Sequence, residues 1–107
     1  MDIESLAEEI GLEKGEIIEI IELFVETTSA DLDLLEHAIQ RKDYQSVKDI
    51  AHSIKGVSAN FRFTDIQDTA REIEIKARES RLEGTKEDLR RIRERVNQIK
   101  ESVSNTQ

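Results

Sequence analysis

The chain has 107 residues, of which 30 are Leu, Ile, Val or Phe, and it contains four glycines, no proline and no cysteine. This composition is typical of one all-helical domain with a modest core, and it excludes disulfides, a thiolate nucleophile and a thiolate metal site. No uncharged stretch approaches the length of a membrane span, and the acidic start Met1-Asp2-Ile3-Glu4 is unlike a signal peptide. We therefore expect a cytoplasmic protein without membrane insertion.

The charge is unevenly distributed along the chain. Its net value is −8, yet residues 1–40 carry twelve acidic side chains and one basic one, whereas residues 41–107 carry twelve acidic and fifteen basic ones. This asymmetry predicts an acidic helix packed beside a basic helix within one bundle. It does not indicate a nucleic-acid interface, because acidic residues interrupt the basic half and aromatic side chains for base stacking are few.

The hydrophobic pattern predicts a short first helix and a long second one. Apolar residues recur at helical spacing near the start of the chain: Ile3, Leu6, Ala7 and Ile10. Asp2 is suited to cap this helix and Gly11 to end it. From about Glu13 the pattern continues to Ile39, either as one helix or as two nearly collinear helices hinged at residues 27–29.

The third and fourth helices are predicted to form a hairpin. Asp43 can cap the third helix, which runs to a turn at residues 60–63. Thr64 and Gln67 fit a capping box at the start of the fourth helix, because each side chain can bond the backbone N–H of the other. This helix is expected to extend to about residue 82 and to be closed by Gly84.

The last helix opens at Thr85, and residues 104–107 are expected to fray at its end. Four long helices joined by short connections predict antiparallel neighbours. We therefore expect an all-α fold with a single domain over residues 1–107. It would be an antiparallel up-down four-helix bundle, with the short first helix covering one end.

The third helix places one histidine on its solvent side. Its apolar residues recur every three or four positions: Val47, Ile50, Ala51, Ile54, Val57 and Phe61. At the helical period, His52 projects roughly 170° away from the centre of that stripe. Lys48, Lys55, Gly56 and Ala59 share its face, so the imidazole stands between two ammonium groups. A helical Gly costs about 1 kcal/mol relative to Ala, which indicates that Gly56 provides needed clearance.

Hairpin geometry predicts the neighbours of His52 on the fourth helix. Residues equally far from the turn lie level with each other, which places His52 near Arg71, Glu74 and Arg78. A carboxylate such as Glu74 on one ring nitrogen would fix the tautomer and leave the other nitrogen nucleophilic. The cations Lys48, Lys55 and Arg78 suit a phosphoryl group, since its transfer depends mainly on positioning and on stabilising negative charge.

This geometry alone leaves other roles open, because an exposed histidine is most often only solvated. A hydrolytic site would need a Ser-His-acid set, which the sequence does not suggest. A metal site is not expected either, because the chain has two histidines, no cysteine and no recognised ligand spacing. The second histidine, His37, is predicted to lie on a helix flank near the core.

The stretch Ala51-His52-Ser53-Ile54-Lys55-Gly56-Val57-Ser58-Ala59 resembles the A-H-x-(L/I)-K-G-x-(S/A)-(A/G) signature of histidine-containing phosphotransfer (HPt) domains. The resemblance extends over nearly the whole chain. It implies a four-helix bundle that carries a phosphoryl group on His52. It also implies that Lys55 lies beside the phosphoryl group and that Gly56 opens access for a partner.

Positions outside this stretch both extend and limit the resemblance. In the similar domain of chemotaxis-type histidine kinases a Glu that is bonded to the histidine stands where Glu74 stands here, whereas other members have Gln. Some members carry a basic residue at the position of Arg78. The family usually has Gly where this chain has Arg62. This departure leaves open which conformation the turn after the His helix takes.

We therefore expect a phosphorelay carrier without enzymatic turnover. His52 would accept a phosphoryl group from the aspartyl phosphate of a response-regulator receiver domain and pass it to another receiver, with Lys55 and Glu74 acting beside it. The binding surface would comprise Lys48, Gly56, Ala59, Arg71 and Arg78. The chain would be a monomer without a cofactor or metal of its own, because Mg²⁺ comes with the receiver. Two alternatives stay open: the phosphoacceptor domain of a larger histidine kinase, and a helical interaction module that is never phosphorylated.

Overall fold

The computed structural model describes residues 2–106, and all regular structure in this range is helical. Five helices follow one another: α1 (Ile3–Ile10), α2 (Lys14–Gln40), α3 (Tyr44–Asn60), α4 (Thr64–Arg78) and α5 (Thr85–Thr106). No strand occurs between residues 2 and 106, so the predicted all-α class is confirmed. Within that range no helix combines the length and the apolar character that crossing a membrane requires.

The first two helices are delimited largely as predicted. Asp2 caps α1 by accepting hydrogen bonds from two backbone N–H groups of the first turn, at 3.1 and 3.2 Å. Gly11 ends α1 in the left-handed conformation, with φ = 87°, which glycine adopts at little cost. α2 is one continuous helix with Thr28 in its buried stripe, so the alternative of a hinge at residues 27–29 is wrong.

Asp43 caps α3 as predicted, because its side chain accepts a hydrogen bond from the Ser46 N–H at 3.2 Å. The residue before it, Lys42, takes a left-handed φ of 57°. The connection from α2 to α3 is therefore a tight turn, which holds the two helices side by side.

The turn between α3 and α4 is a hydrogen-bonded helix end in which Arg62 takes the left-handed conformation, with φ = 63°. The Arg62 N–H donates to the Ala59 carbonyl at 3.1 Å, and the Phe63 N–H donates to the Ser58 carbonyl at 3.0 Å. These two bonds form a Schellman motif, which satisfies carbonyl groups left open at the end of the helix. The turn thus has the conformation that suits glycine, although an arginine occupies the position.

The same turn explains why the capping box predicted at Thr64 is wrong. The N-cap of α4 is Phe63, and Thr64 is already helical. The Gln67 N–H, which the box would have bonded to the Thr64 side chain, donates to the Phe63 carbonyl at 3.0 Å. The buried Phe63 therefore stands at the N-cap, where its apolar side chain makes no capping hydrogen bond.

Three aromatic rings meet beneath this turn. The Phe24 centroid lies 5.2 Å from those of Phe61 and Phe63, and the rings of Phe61 and Phe63 are stacked at 5.7 Å. At such distances an aromatic pair contributes about 0.5–1.5 kcal/mol beyond the area it buries. The cluster attaches the α3–α4 turn to α2. It thereby restricts movement of the α3–α4 hairpin along α2.

α4 ends at Arg78, earlier than the predicted residue 82, and Gly84 does not close it. Ser80 takes a left-handed φ of 56°, and the N–H groups of Ser80 and Arg81 donate to carbonyls of the last turn at 3.0 and 2.8 Å. This second Schellman motif ends the helix without a glycine. Gly84, with φ = 81°, lies directly before α5 instead.

α5 continues as a helix to Thr106, where the sequence predicts a frayed end over residues 104–107. Val103 is buried, and the Thr106 hydroxyl donates to the Ser102 carbonyl at 2.7 Å. Burial and this hydrogen bond together account for the ordered last turn. Gln107 lies outside the described residues.

The four long helices form a closed ring of contacts. α2 and α4 each pack against α3 and α5, α1 contacts α2 and α5, and the contact between α3 and α4 is the most extensive. Large aliphatic side chains with less than 2% exposure fill the interior: Ile17, Ile21, Leu32, Leu35, Val47, Ile54, Ile66, Ile73, Ile92, Val96 and Ile99. The two helices that face each other most closely are therefore the two predicted to carry the site.

The predicted pairing of acidic and basic helices occurs between α2 and α5. Arg93 Nη2 lies 3.0 Å from an Asp33 oxygen and 2.8 Å from a Glu36 oxygen. Arg90, by contrast, pairs within α5 with Glu87 and Glu94. Only some of the basic residues of α5 therefore form ion pairs with the acidic helix α2.

Arg62→Gly should raise the free energy of unfolding by up to about 1 kcal/mol. The left-handed conformation costs an L residue roughly 1–2 kcal/mol, and the greater freedom of glycine in the unfolded chain cancels about 0.5–1 kcal/mol of the gain. Arg62→Ala is the control, since it retains the Cβ in the same conformation. Urea unfolding of the three proteins checks this, and a Gly variant no more stable than the Ala variant would contradict it.

Candidate functional site

His52 lies on α3 with its imidazole in solvent. The residues around it in the helix that are buried form the α3 side of the core: Val47, Ala51, Ile54 and Ser58. The His52 side chain is 67% exposed. The imidazole is therefore open to a molecule that approaches from solvent.

Glu74 of α4 is the centre of the site. Its carboxylate is bonded at both oxygens: Oε2 lies 2.8 Å from His52 Nδ1, and Oε1 lies 2.6 Å from Lys55 Nζ. Arg78 Nη2 approaches Oε2 at 3.4 Å. Glu74 itself is only 4% exposed, so these three side chains replace the water that a surface carboxylate would have.

These contacts determine the ionisation of Glu74. Burial opposes the charged form, but hydrogen bonds from Lys55 and His52, together with their charges, outweigh it and hold the pKa of Glu74 below its usual range. Because the pKa of this carboxyl is lower in the folded than in the unfolded state, its ionisation stabilises the fold at every pH above the unfolded-state pKa. This stabilisation is lost as the pH falls through the folded-state pKa.

The ionised carboxylate fixes the tautomer of His52. A carboxylate can only accept hydrogen bonds, so the neutral imidazole carries its proton on Nδ1, which donates to Glu74. Nε2 then holds the lone pair, and it has no hydrogen-bond partner among residues 2–106. The unprotonated nitrogen is therefore left without a hydrogen bond from the described residues, on a side chain that is 67% exposed.

Two other predicted site residues, Lys48 and Arg71, form no hydrogen bond with His52 within the described range. Lys48, one turn before His52, is half-buried and has no acidic partner in the described part of the chain. Arg71 lies on the exposed flank of α4, where it pairs with Asp68 at 3.6 Å instead of contacting His52. The expectation that Arg71 lies beside His52 thus has no contact to support it, because an acid three residues away on its own helix is nearer.

Gly56 and Ala59 give α3 a low surface next to His52. Gly56 is exposed, and a Cβ built there would meet nothing within 4 Å. Ala59 is half-buried and extends this low surface by about one turn. Nothing in the packing of the bundle itself thus requires a glycine at residue 56.

Sequence reasoning did not anticipate the bond between Lys55 and Glu74. The helical period places Lys55 between the core stripe and His52, on the flank of α3 that faces α4, but it does not decide which side chain of α4 Lys55 bonds. His37 is exposed in the last turn of α2. Between residues 2 and 106 no group of three or more His, Cys, Asp or Glu side chains is arranged to hold a metal ion.

The family of the chain follows from comparison with known proteins. No curated protein and no solved structure gives a match. The family model described as Hpt domain matches residues 19–102, which include all of α3 and α4 and most of α2 and α5. Hpt domains are phosphocarriers that interact with receiver domains and kinases in phosphorelays. The chain therefore belongs to the Hpt domain family, the histidine phosphotransfer domains of two-component systems.

Proposed function

We propose that this chain is a cytoplasmic, monomeric phosphorelay carrier in which His52 is the phosphoacceptor. The donor would be the aspartyl phosphate of a receiver domain, and the acceptor of the next step would be another receiver. The four long helices would be arranged as an antiparallel up-down bundle, with α1 covering one end. The observation that carries the proposal is the 2.8 Å bond between His52 Nδ1 and Glu74 Oε2, which leaves Nε2 free at the surface.

The proposed step is an in-line displacement at phosphorus. The Nε2 lone pair attacks the phosphorus atom, the bond from phosphorus to the aspartyl oxygen breaks, and the electron pair of that bond returns to the carboxylate. The proton on Nδ1 stays in its hydrogen bond with Glu74. Glu74 thus acts by orienting the ring and by supporting the positive charge that it gains.

The transferring phosphoryl group needs positive charge around it, because its equatorial oxygens carry spread-out negative charge. Lys55 and Arg78 share their charge with Glu74 at 2.6 and 3.4 Å. Lys48 has no such partner among the described residues, so it supplies charge that no carboxylate neutralises. In this proposal the metal ion is held by the receiver, and the chain needs no cofactor of its own.

The proposed docking surface is the exposed side of α3 and α4 around His52. Gly56 and Ala59 leave room for a partner to approach the imidazole, and Arg71 and Arg78 border it on α4. In this proposal the receiver holds a metal ion, and the usual protein ligands of Mg²⁺ are carboxylates, so its docking surface would be acidic. A cationic border on an otherwise acidic chain, with net charge −8, favours docking in the orientation that brings the two reacting groups together.

His52→Gln should abolish phosphoryl acceptance while leaving the protein folded, because its side chain is mostly exposed and only the bond to buried Glu74 is lost, at a cost of about 1–3 kcal/mol or less where the Gln amide N–H replaces the imidazole donor. The measurement is acid-labile, base-stable labelling after incubation with a phosphorylated receiver. His37→Gln is the control and should label like the wild type. Labelling of the His52 variant at the wild-type level would contradict the assignment. A parallel incubation with a kinase catalytic domain and ATP tests the alternative donor.

Lys48→Ala and Lys55→Ala should both slow transfer, yet only the second should destabilise the fold. Removing Lys55 takes a donor from the buried Glu74, and an unsatisfied buried group costs about 1–3 kcal/mol. Removing Lys48 breaks no such bond and should cost less than about 0.5 kcal/mol. Urea unfolding and a transfer time course check both parts. Equal stability of the two variants would show that the Lys55–Glu74 bond does not stabilise the fold.

Gly56→Gln should slow transfer from a receiver although it stabilises the helix by up to about 1 kcal/mol. The new side chain would project from the face of α3 that a partner must approach. Gly15→Gln is a matched control, because Gly15 is also an exposed helical glycine with nothing within 4 Å of an added Cβ. Melting temperatures and transfer rates of both variants give the test. Wild-type transfer by a more stable Gly56 variant would refute the steric role.

A further inference from the structure

The residue bonded to His52 is a carboxylate, and its charge has a consequence for the phosphorylated state. Glu74 is 4% exposed and touches the ring nitrogen opposite to the one that would carry the phosphoryl group. The contact is to the nitrogen that phosphorylation at Nε2 leaves unmodified. This consequence rests on the proposed function, because it concerns the phosphohistidine at His52.

Loss of the phosphoryl group depends on a proton at Nδ1. When the bond between phosphorus and Nε2 breaks, its electron pair returns to the ring. A ring with a proton on Nδ1 departs as neutral imidazole, whereas a ring without that proton departs as an imidazolate anion, which is a far poorer leaving group. Any group that favours the protonated ring therefore shortens the lifetime of the phosphohistidine.

We infer that Glu74 sets the lifetime of the phosphoryl group by keeping the proton on Nδ1 of phosphorylated His52. Its negative charge, 2.8 Å from Nδ1, stabilises the positively charged ring that protonation produces. A neutral amide in the same place could still accept a hydrogen bond, but it would not offset that charge. Glu74 is thus a positioning residue for the proton, and it favours rapid release to an attacking carboxylate or to water.

The cations of the site act in the opposite direction. Lys55 on α3 and Arg78 on α4 draw on the same carboxylate at 2.6 and 3.4 Å, and Lys48 adds positive charge on the face of His52. Arg71 on α4 is exposed and pairs with Asp68 at 3.6 Å instead of contacting His52. Lys55, Arg78 and Lys48 each disfavour a positive ring, so the balance between Glu74 and these three cations determines how labile the phosphoryl group is.

The test compares the lifetime of the phosphohistidine in variants loaded with phosphoramidate, a small-molecule donor that needs no receiver. Loss of base-stable phosphate is followed from pH 5 to pH 9 in the wild type, Glu74→Gln, Lys55→Gln and Glu72→Gln. Glu72 is an exposed acid on α4, so its variant makes the same change in net charge away from His52.

Glu74→Gln should lengthen the half-life near neutral pH by about tenfold and move the pH profile of loss to lower pH, since a carboxylate contact is worth at least about one pH unit. Lys55→Gln should move the profile to higher pH. Glu72→Gln should lie within about twofold of the wild type. This pattern of opposite shifts is not one that general loosening of the fold would produce.

Equal profiles for Glu74→Gln and the wild type, or equal shifts for Glu74→Gln and Glu72→Gln, would overturn the inference. If Glu74→Gln does not fold by circular dichroism, the direction of the Lys55→Gln shift decides alone, and a shift to lower pH or none would overturn it. The proposed carrier function is tested separately. If the phosphoramidate-loaded variants follow the expected pattern but receivers do not transfer phosphate to the protein, the carrier function is refuted and the role of Glu74 stands.

Discussion

The site depends on a carboxylate that the fold has removed from water. Glu74 is almost fully buried, and an ionised carboxylate is stable there only when hydrogen-bond donors replace its lost hydration. His52 and Lys55 of α3 and Arg78 of α4 are those donors. The same few bonds therefore join α3 to α4 and fix the tautomer of His52. A change that moves α3 relative to α4 at Glu74 also changes the hydrogen bonding of the imidazole.

The register of the two helices has to be accurate for these bonds to exist. A slip of one helical turn would move Glu74 by about 5.4 Å, which would break its bonds to both His52 and Lys55. The α3–α4 turn opposes such a slip, because Arg62 closes the helix end with backbone bonds and the rings of Phe61 and Phe63 lie against Phe24. An arginine in the left-handed conformation is thus tolerated where the surrounding bonds and rings already determine the turn.

Sequence reasoning predicted those features that depend on periodicity and on counting along the chain. The 3.6-residue period places His52 in solvent, and counting across the turn places Glu74 opposite it. It chose the wrong cap for α4, because the buried Phe63 stands at the N-cap position, and it ended α4 four residues late, because a Schellman motif can form at Ser80 without a glycine. Side-chain partners such as Lys55 with Glu74 depend on which of several charged neighbours is nearest, and the period alone does not decide that.

The bonds that build the site join residues close together in the sequence. His52 and Lys55 precede Glu74 by 22 and 19 positions, so the loop that must close is short and its entropic cost is small. Contacts of such low sequence separation form readily during folding. The chemistry of the domain therefore belongs to one local folding unit, the α3–α4 hairpin. Partial opening at the chain ends, in α1 or the last turns of α5, can occur without taking the histidine away from its carboxylate.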